Sequence, residues 1–310
     1  MMKNFTEEYV LINGIEQYFL HSPNESKDVL LMLHGGPGLA NSHTAYYHQP
    51  YVDFCNVVYY DQRGAGKTQL RNQLTAEQIT FDRLLADLRQ TIAYIKVKYN
   101  TDRIFLAGHS WGSMLGTQYV LAYPTDVAGY IGYGQGVPGT AQDRHYYEFV
   151  KAKVMQSGDE AQIAAIKQVS ENFPDIPRED YFEQYNAIAA LGFENGYDFM
   201  GEDVFEIYAS SPTWTGQDEE IAPSLEKLNE ALYADILFDW ETSTSQYAIP
   251  VYYILGRWDE MTSSQIAAEY FAKITAPKKG LYWIEEAGHL LDTDKPAEFW
   301  GTVKEILGQI

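Results

Sequence analysis

The stretch Gly108-His109-Ser110-Trp111-Gly112 constrains this chain more than any other. It follows the apolar run Ile104 to Ala107 and precedes a helical pattern. A strand that passes through G-x-S-x-G into a helix makes a sharp turn and lifts the serine hydroxyl above the sheet edge, the glycines giving the backbone room. The motif is short, but its context orders a strand, a turn and a helix, and points Ser110 toward acyl-transfer chemistry.

Eight apolar runs read as strands. Tyr9 to Ile12 and Glu16 to Leu20 flank Asn13-Gly14, a tight hairpin signal. Val29 to Leu33, Val57 to Tyr60, Ile104 to Ala107, Gly129 to Tyr133, Val251 to Leu255 and Leu281 to Ile284 follow. From the third onward they are continuous rather than alternating, as strands buried on both faces require. Helical patterns at Phe81 to Tyr99, Ser110 to Ala122, Ser263 to Lys273 and Pro296 to Leu307 lie between or after them. The expected architecture is α/β: an eight-stranded, mostly parallel sheet flanked by helices. The interval 136–246 breaks the rhythm. It reads as helical, clearest at Glu160 to Glu171 and Ser224 to Leu237, and holds 22 Asp and Glu against 6 Lys and Arg. It is expected to be a helical cap over the carboxyl ends of the strands, with residues 1–135 and 247–310 as the core domain.

Composition narrows the function classes. A formal charge of -21 repels nucleic acid and anionic membrane surfaces. The acidic start, Met1 to Glu8, lacks the apolar run of a signal peptide, and no segment approaches a membrane span, so a soluble cytoplasmic protein is expected. The single cysteine, Cys55, has no intramolecular partner and reads as core. Neither H-E-x-x-H nor G-x-G-x-x-G appears, so neither a zinc site nor a nicotinamide site is expected, and no cofactor.

A serine becomes a nucleophile only when an oriented base takes its proton. Chain order in elbow enzymes runs nucleophile, acid, histidine. Asp259 lies just past the seventh run and His289 just past the eighth, so both emerge at the edge that carries Ser110. Only His145, early in the cap, competes with His289 among histidines after Ser110. Glu260, Asp292 and Asp294 are the rival carboxylates, and Asp259 could instead cap the following helix. Ser110 is therefore expected as nucleophile, His289 as base then acid, and Asp259 as the carboxylate that orients the ring. The oxyanion needs two backbone donors. Trp111, next after the nucleophile, supplies one; Gly36, in His34-Gly35-Gly36-Pro37-Gly38 after the third run, is expected to supply the other, with His34 bracing that loop.

His34-Gly35-Gly36-Pro37-Gly38, Asp61-Gln62-Arg63-Gly64 and Gly108-His109-Ser110-Trp111-Gly112-Ser113 together resemble the prolyl iminopeptidase group of α/β-hydrolases, over roughly residues 8–135 and 247–308. The resemblance implies a metal-free serine peptidase that releases N-terminal proline from short peptides beneath a helical cap, with the roles above for Ser110, Asp259, His289, Gly36 and Trp111. Asp61 and Arg63 are expected to hold their loop. His109 stands where these peptidases usually carry glycine. The cap does not align with theirs, whose glutamates bind the substrate amine; Glu171, Glu183, Glu202, Glu206 and Glu241 remain open as counterparts. Trp214, Tyr208, Phe238 and Trp240 suit either an apolar pocket or the cap's own core. Three readings follow: an aminopeptidase for N-terminal proline or a small apolar residue; a carboxylesterase or amidase on a small acyl substrate; and a non-catalytic ligand receptor on the same fold. The expected partner is a small peptide or acyl substrate, and the oligomeric state is not legible. Dehalogenase and epoxide hydrolase chemistry is disfavoured, because those relatives place a carboxylate where Ser110 stands.

Overall fold

Each of the eight apolar runs forms a strand in a computed structural model of the chain, which describes residues 5–24, 26–196, 204–239 and 245–310. The strands are β1 (Thr6–Ile12), β2 (Ile15–His21), β3 (Val29–Leu33), β4 (Asn56–Tyr60), β5 (Ile104–His109), β6 (Val127–Tyr133), β7 (Val251–Gly256) and β8 (Lys279–Ile284). They make one sheet in the order β1-β2-β4-β3-β5-β6-β7-β8. β1 and β2 pair antiparallel, as do β2 and β4, and every later pairing is parallel. Asn13 and Gly14 both take positive φ, 45° and 83°, the backbone that a two-residue hairpin turn requires.

Burial on both faces explains the continuous runs. Along β3, Val29, Leu31 and Leu33 enter one apolar cluster and Leu30 and Met32 enter the other. Helix Phe81–Tyr99 covers the first face with Leu84, Leu88, Ile92 and Ile95, one stripe of a 3.6-residue period. Thr80 caps its start, accepting from Arg83 N, and Asn100 ends it in the left-handed conformation. Helix Pro296–Leu307 lies against the second face through Phe299, Trp300, Val303 and Ile306. Cys55 is wholly buried in that second cluster.

Between β6 and β7 the described residues form helices Ala141–Ser157, Glu160–Ile166, Arg178–Glu194, Val204–Ser210 and Gly216–Asp239. The first three share an apolar cluster of their own, built on Tyr146, Tyr147, Val150, Phe173, Tyr181 and Ile188. Two expected helices have different bounds. The helix expected over Glu160 to Glu171 ends at Ile166, because the following turns drop Val169 and Phe173 into that cluster. The helix expected over Ser224 to Leu237 begins eight residues earlier, at Gly216, with Pro223 inside it. No helix among the described residues is long and apolar enough to cross a membrane.

Candidate active site

β5 sits in the middle of the sheet between β3 and β6, and Ser110 is the first residue past its end. Ser110 holds φ 49° and ψ -121°, a conformation that costs a non-glycine residue about 1–3 kcal/mol. The surroundings enforce it. Ser110 N donates to Tyr133 O on β6 at 3.1 Å. Ser113 Oγ donates to Ser110 O at 2.6 Å and accepts from Gly136 N at 2.9 Å. The motif glycines are sterically required: a Cβ on Gly108 would lie 2.4 Å from Gly112 O, and one on Gly112 2.3 Å from Leu33 O. Helix Trp111–Ala122 thus starts in contact with the end of β3, with Trp111 as its first residue.

The loop after β3 closes on this turn. A Cβ on Gly35 would stand 3.3 Å from Ser110 Cβ. Gly36 has φ 108°, and a Cβ there would stand 2.7 Å from Gly38 N, so only glycine fits. His34 braces the loop, as expected. Gln62 N donates to His34 Nε2 at 3.0 Å, which leaves the ring proton on Nδ1 to donate to Gly35 O at 2.9 Å. Burial keeps that ring neutral and lowers its pKa to about 4. Arg63 forms a two-pronged pair with buried Asp87, at 2.8 and 3.1 Å, and Asp61 accepts from Lys67 N at 2.8 Å. Both make contacts that hold their loop.

Asp259 and His289 follow β7 and β8, and their side chains meet. His289 Nδ1 lies 3.0 Å from Asp259 Oδ2, and both residues are buried. Thr262 completes the carboxylate's partners: its N donates to Oδ1 at 3.0 Å and its hydroxyl to Oδ2 at 2.8 Å. The same hydroxyl oxygen is 3.2 Å from His289 Nδ1, a second acceptor for that ring proton. The rival carboxylates are engaged elsewhere: Glu260 with His145 at 2.6 Å, Asp292 with His48 at 3.8 Å, and Asp294 with Gly288 N at 2.7 Å.

The His289 loop touches the serine turn. His109, adjacent to Ser110, places Nε2 2.9 Å from His289 O, with the two rings 4.8 Å apart. His289 Cε1 lies 3.1 Å from where a Gly134 Cβ would stand, one residue after the carbonyl that receives Ser110 N. Ser110, Asp259, His289, Gly36 and Trp111 therefore gather at one end of the sheet, as the order of motifs along the chain anticipates.

The expected cap carboxylates do not gather there. Glu183 and Glu206 are exposed, Glu171 pairs with Lys151 at the surface, and Glu202 and Glu241 lie outside the described residues. Sequence reasoning missed Asp218, which lines a cavity of about 30 Å³ beginning at Gly38 and Leu39, two residues past Gly36. Phe205, Tyr208 and Trp214 form its aromatic wall; Phe238's side chain and Trp240 lie outside the described residues. Asp218 is 2% exposed. Thr215 N donates to its Oδ2 at 2.9 Å, while Oδ1 has no hydrogen bond and faces His43 Nε2 at 3.7 Å. Burial lowers the His43 pKa to about 4. An acidic side chain lodged among aromatics has no sequence motif to announce it.

Residues 28–296 match the family described as the alpha/beta hydrolase fold. The chain belongs to the α/β-hydrolase family. It is similar to the probable aminopeptidase YbaC of Bacillus subtilis (strain 168), 22% identical over 96% of this chain and 92% of that protein. It is also similar to a proline iminopeptidase of Saccharolobus solfataricus, 25% identical over 99% of this chain and 94% of that one. Among solved structures, a proline iminopeptidase-related protein from Thermus thermophilus superposes with a TM-score of 0.70 at 21% identity, covering 99% of this chain and 98% of that chain. At that identity the superposition speaks for the fold alone.

Proposed function

We propose that this α/β-hydrolase is a serine aminopeptidase that releases N-terminal proline, or another small apolar residue, from short peptides through an acyl-enzyme. The observation that carries the reading is the buried His289–Asp259 pair on a loop that touches the turn bearing Ser110. In the proposed mechanism the Ser110 hydroxyl attacks the scissile carbonyl carbon as His289 Nε2 takes its proton. Asp259 stabilises the imidazolium and holds the tautomer. The N–H groups of Gly36 and Trp111 receive the oxyanion, Trp111 from the positive end of its helix. His289 returns the proton to the leaving amine, the C–N bond breaks, and water hydrolyses the ester by the same steps in reverse.

Two observations favour an amine-bearing substrate over a simple ester. The full-length relatives cited above carry aminopeptidase or iminopeptidase names. Asp218, whose Oδ1 makes no hydrogen bond, also lines an aromatic-walled cavity beside the Gly36 loop, and a buried carboxyl group calls for a donor partner. The helices between β6 and β7 act in this reading as a cap that admits short chains.

The test compares proline 4-nitroanilide, N-acetylproline 4-nitroanilide and 4-nitrophenyl acetate on wild type, Ser110→Ala and Asp218→Asn. The free-amine anilide should be the best substrate, Ser110→Ala should abolish turnover, and Asp218→Asn should raise KM for that anilide while sparing the ester. Turnover of the ester alone would make the protein an esterase. A wild type that neither turns over substrate nor reacts with a fluorophosphonate would make it a ligand receptor.

A further inference from the structure

We infer that His109 is a positioning residue, a brace that ties the carbonyl of His289 to the turn carrying Ser110. The inference rests on the reading of Ser110 and His289 as nucleophile and base, and adds to it a residue with no chemical role of its own.

His109 Nε2 lies 2.9 Å from His289 O. A carbonyl oxygen only accepts, so Nε2 must carry the ring proton and Nδ1 the lone pair. Burial lowers the His109 pKa to about 3, which keeps the ring in this neutral, donating form. The ring has little freedom to leave. Tyr133 stacks on it at 4.8 Å and 28°, and the His289 ring lies against it at 4.8 Å and 42°. Gly35 and Gly134 close the remaining sides: a Cβ on Gly35 would stand 3.0 Å from Nδ1, and one on Gly134 2.9 Å from Nε2.

The arrangement is specific in its consequence. His109 precedes Ser110 directly, and the Ser110 backbone is pinned to Tyr133 O at 3.1 Å. The other end of the brace is the backbone carbonyl of His289 itself. Asp259 fixes the far side of the imidazole; His109 fixes the main chain that carries it. With both in place, the distance from Nε2 of His289 to the Ser110 hydroxyl is set from two directions. Side chains at the G-x-S-x-G x position that lack a donor, glycine among them, cannot make this contact. Alignment of base and nucleophile governs the chemical step rather than substrate binding, and displacement by about 1 Å can cost up to about 100-fold in rate.

The experiment compares His109→Leu, which removes the donor but keeps an apolar side chain, with His109→Gln, whose amide can donate to the same carbonyl. Turnover is read as kcat and KM separately, and Ser110 reactivity as the second-order rate of labelling by a fluorophosphonate, with thermal midpoints to establish folding. His109→Leu should lose about 10–100-fold in kcat and in labelling rate with KM little changed, and His109→Gln should recover most of both. Wild-type kcat in folded His109→Leu overturns the brace and leaves the serine-hydrolase reading standing. Equal loss in folded His109→Gln also overturns it, because the hydrogen bond would then not be the cause. A wild type that is not labelled at all overturns the catalytic reading itself.

Discussion

Replacing Asp259 by asparagine tests the site with almost no change in shape. Thr262 N donates to Oδ1 at 3.0 Å, so the asparagine must keep its carbonyl oxygen there. The flipped amide would set its NH2 against that N–H, leaving a buried donor unsatisfied at a cost of about 1–3 kcal/mol. In the retained orientation the NH2 occupies the Oδ2 position, 2.8 Å from the Thr262 hydroxyl and 3.0 Å from His289 Nδ1. The hydroxyl can rotate and accept. The imidazole can accept only through a bare Nδ1, which moves its proton to Nε2. That tautomer cannot take the Ser110 proton. The expected loss in kcat is about 10⁴-fold, equivalent to about 5–6 kcal/mol of barrier. The assay is kcat on the best anilide and the fluorophosphonate labelling rate, both of which should fall together. Thermal denaturation should move little, since volume and backbone contacts are preserved. A folded Asp259→Asn that keeps a tenth or more of wild-type turnover refutes the tautomer argument.

The remaining predictions concern stability. Gly112→Ala forces a Cβ to within 2.3 Å of Leu33 O and 2.6 Å of His34 O, so helix Trp111–Ala122 must lift from β3; the thermal midpoint should drop steeply or the protein should fail to accumulate. Gly301→Ala is the opposite case, because a Cβ there meets nothing within 4 Å inside helix Pro296–Leu307; it should raise stability by about 0.5–1 kcal/mol, seen as a higher midpoint. Acid should unfold the protein through its histidines. Burial lowers His21, His34 and His43 to about 4 and His109 to about 3 from an ordinary 6.5. Their contribution is whole above 6.5 and disappears as pH falls through that window, the unfolded chain binding the protons; His34 alone is worth about 3 kcal/mol. Asp61 and Asp143, raised by burial to about 7, oppose the trend, since the folded chain keeps their protons as pH rises from about 4 to about 7. Four histidines outweigh two carboxyls, so the thermal midpoint should fall between pH 6.5 and pH 4; a midpoint that climbs over that interval contradicts the assignment.

The sheet was legible because burial on both faces leaves no polar alternation to confuse the reading. All eight strands form where the apolar runs lie, and helices Phe81–Tyr99 and Pro296–Leu307 have the expected bounds. The Asp259–His289 pairing was legible too, since parallel strands deliver the residues that follow them to the same edge. Thr262 was not. It is an ordinary threonine three residues past Asp259, and only the folded loop turns its N–H and hydroxyl onto one carboxylate. Of the five glutamates left open in the acidic stretch, the three that are described lie at or near the surface, because abundance of charge marks solvated helix faces. The carboxylate that lines the cavity is Asp218, held by the Thr215 N–H three residues before it.

What separates the readable from the unreadable is how closely two backbones approach. At Gly112 the helix lies against the β3 carbonyls, and at Gly36 the loop folds back on itself, so one residue type satisfies the geometry and the sequence must spell it out. Close approach also involves the inserted helices. Asn229, on helix Gly216–Asp239, donates through Nδ2 to Gly64 O at 3.0 Å, and a Cβ on Gly38 would stand 2.9 Å from that nitrogen. A Cβ on Gly64 would stand 2.7 Å from its Oδ1. Both glycines take positive φ, 93° and 82°, and a side chain at either would also crowd Asn229 of the insertion. Two motifs that read as properties of the sheet strands' loops therefore also contact a helix that lies between β6 and β7 in the chain.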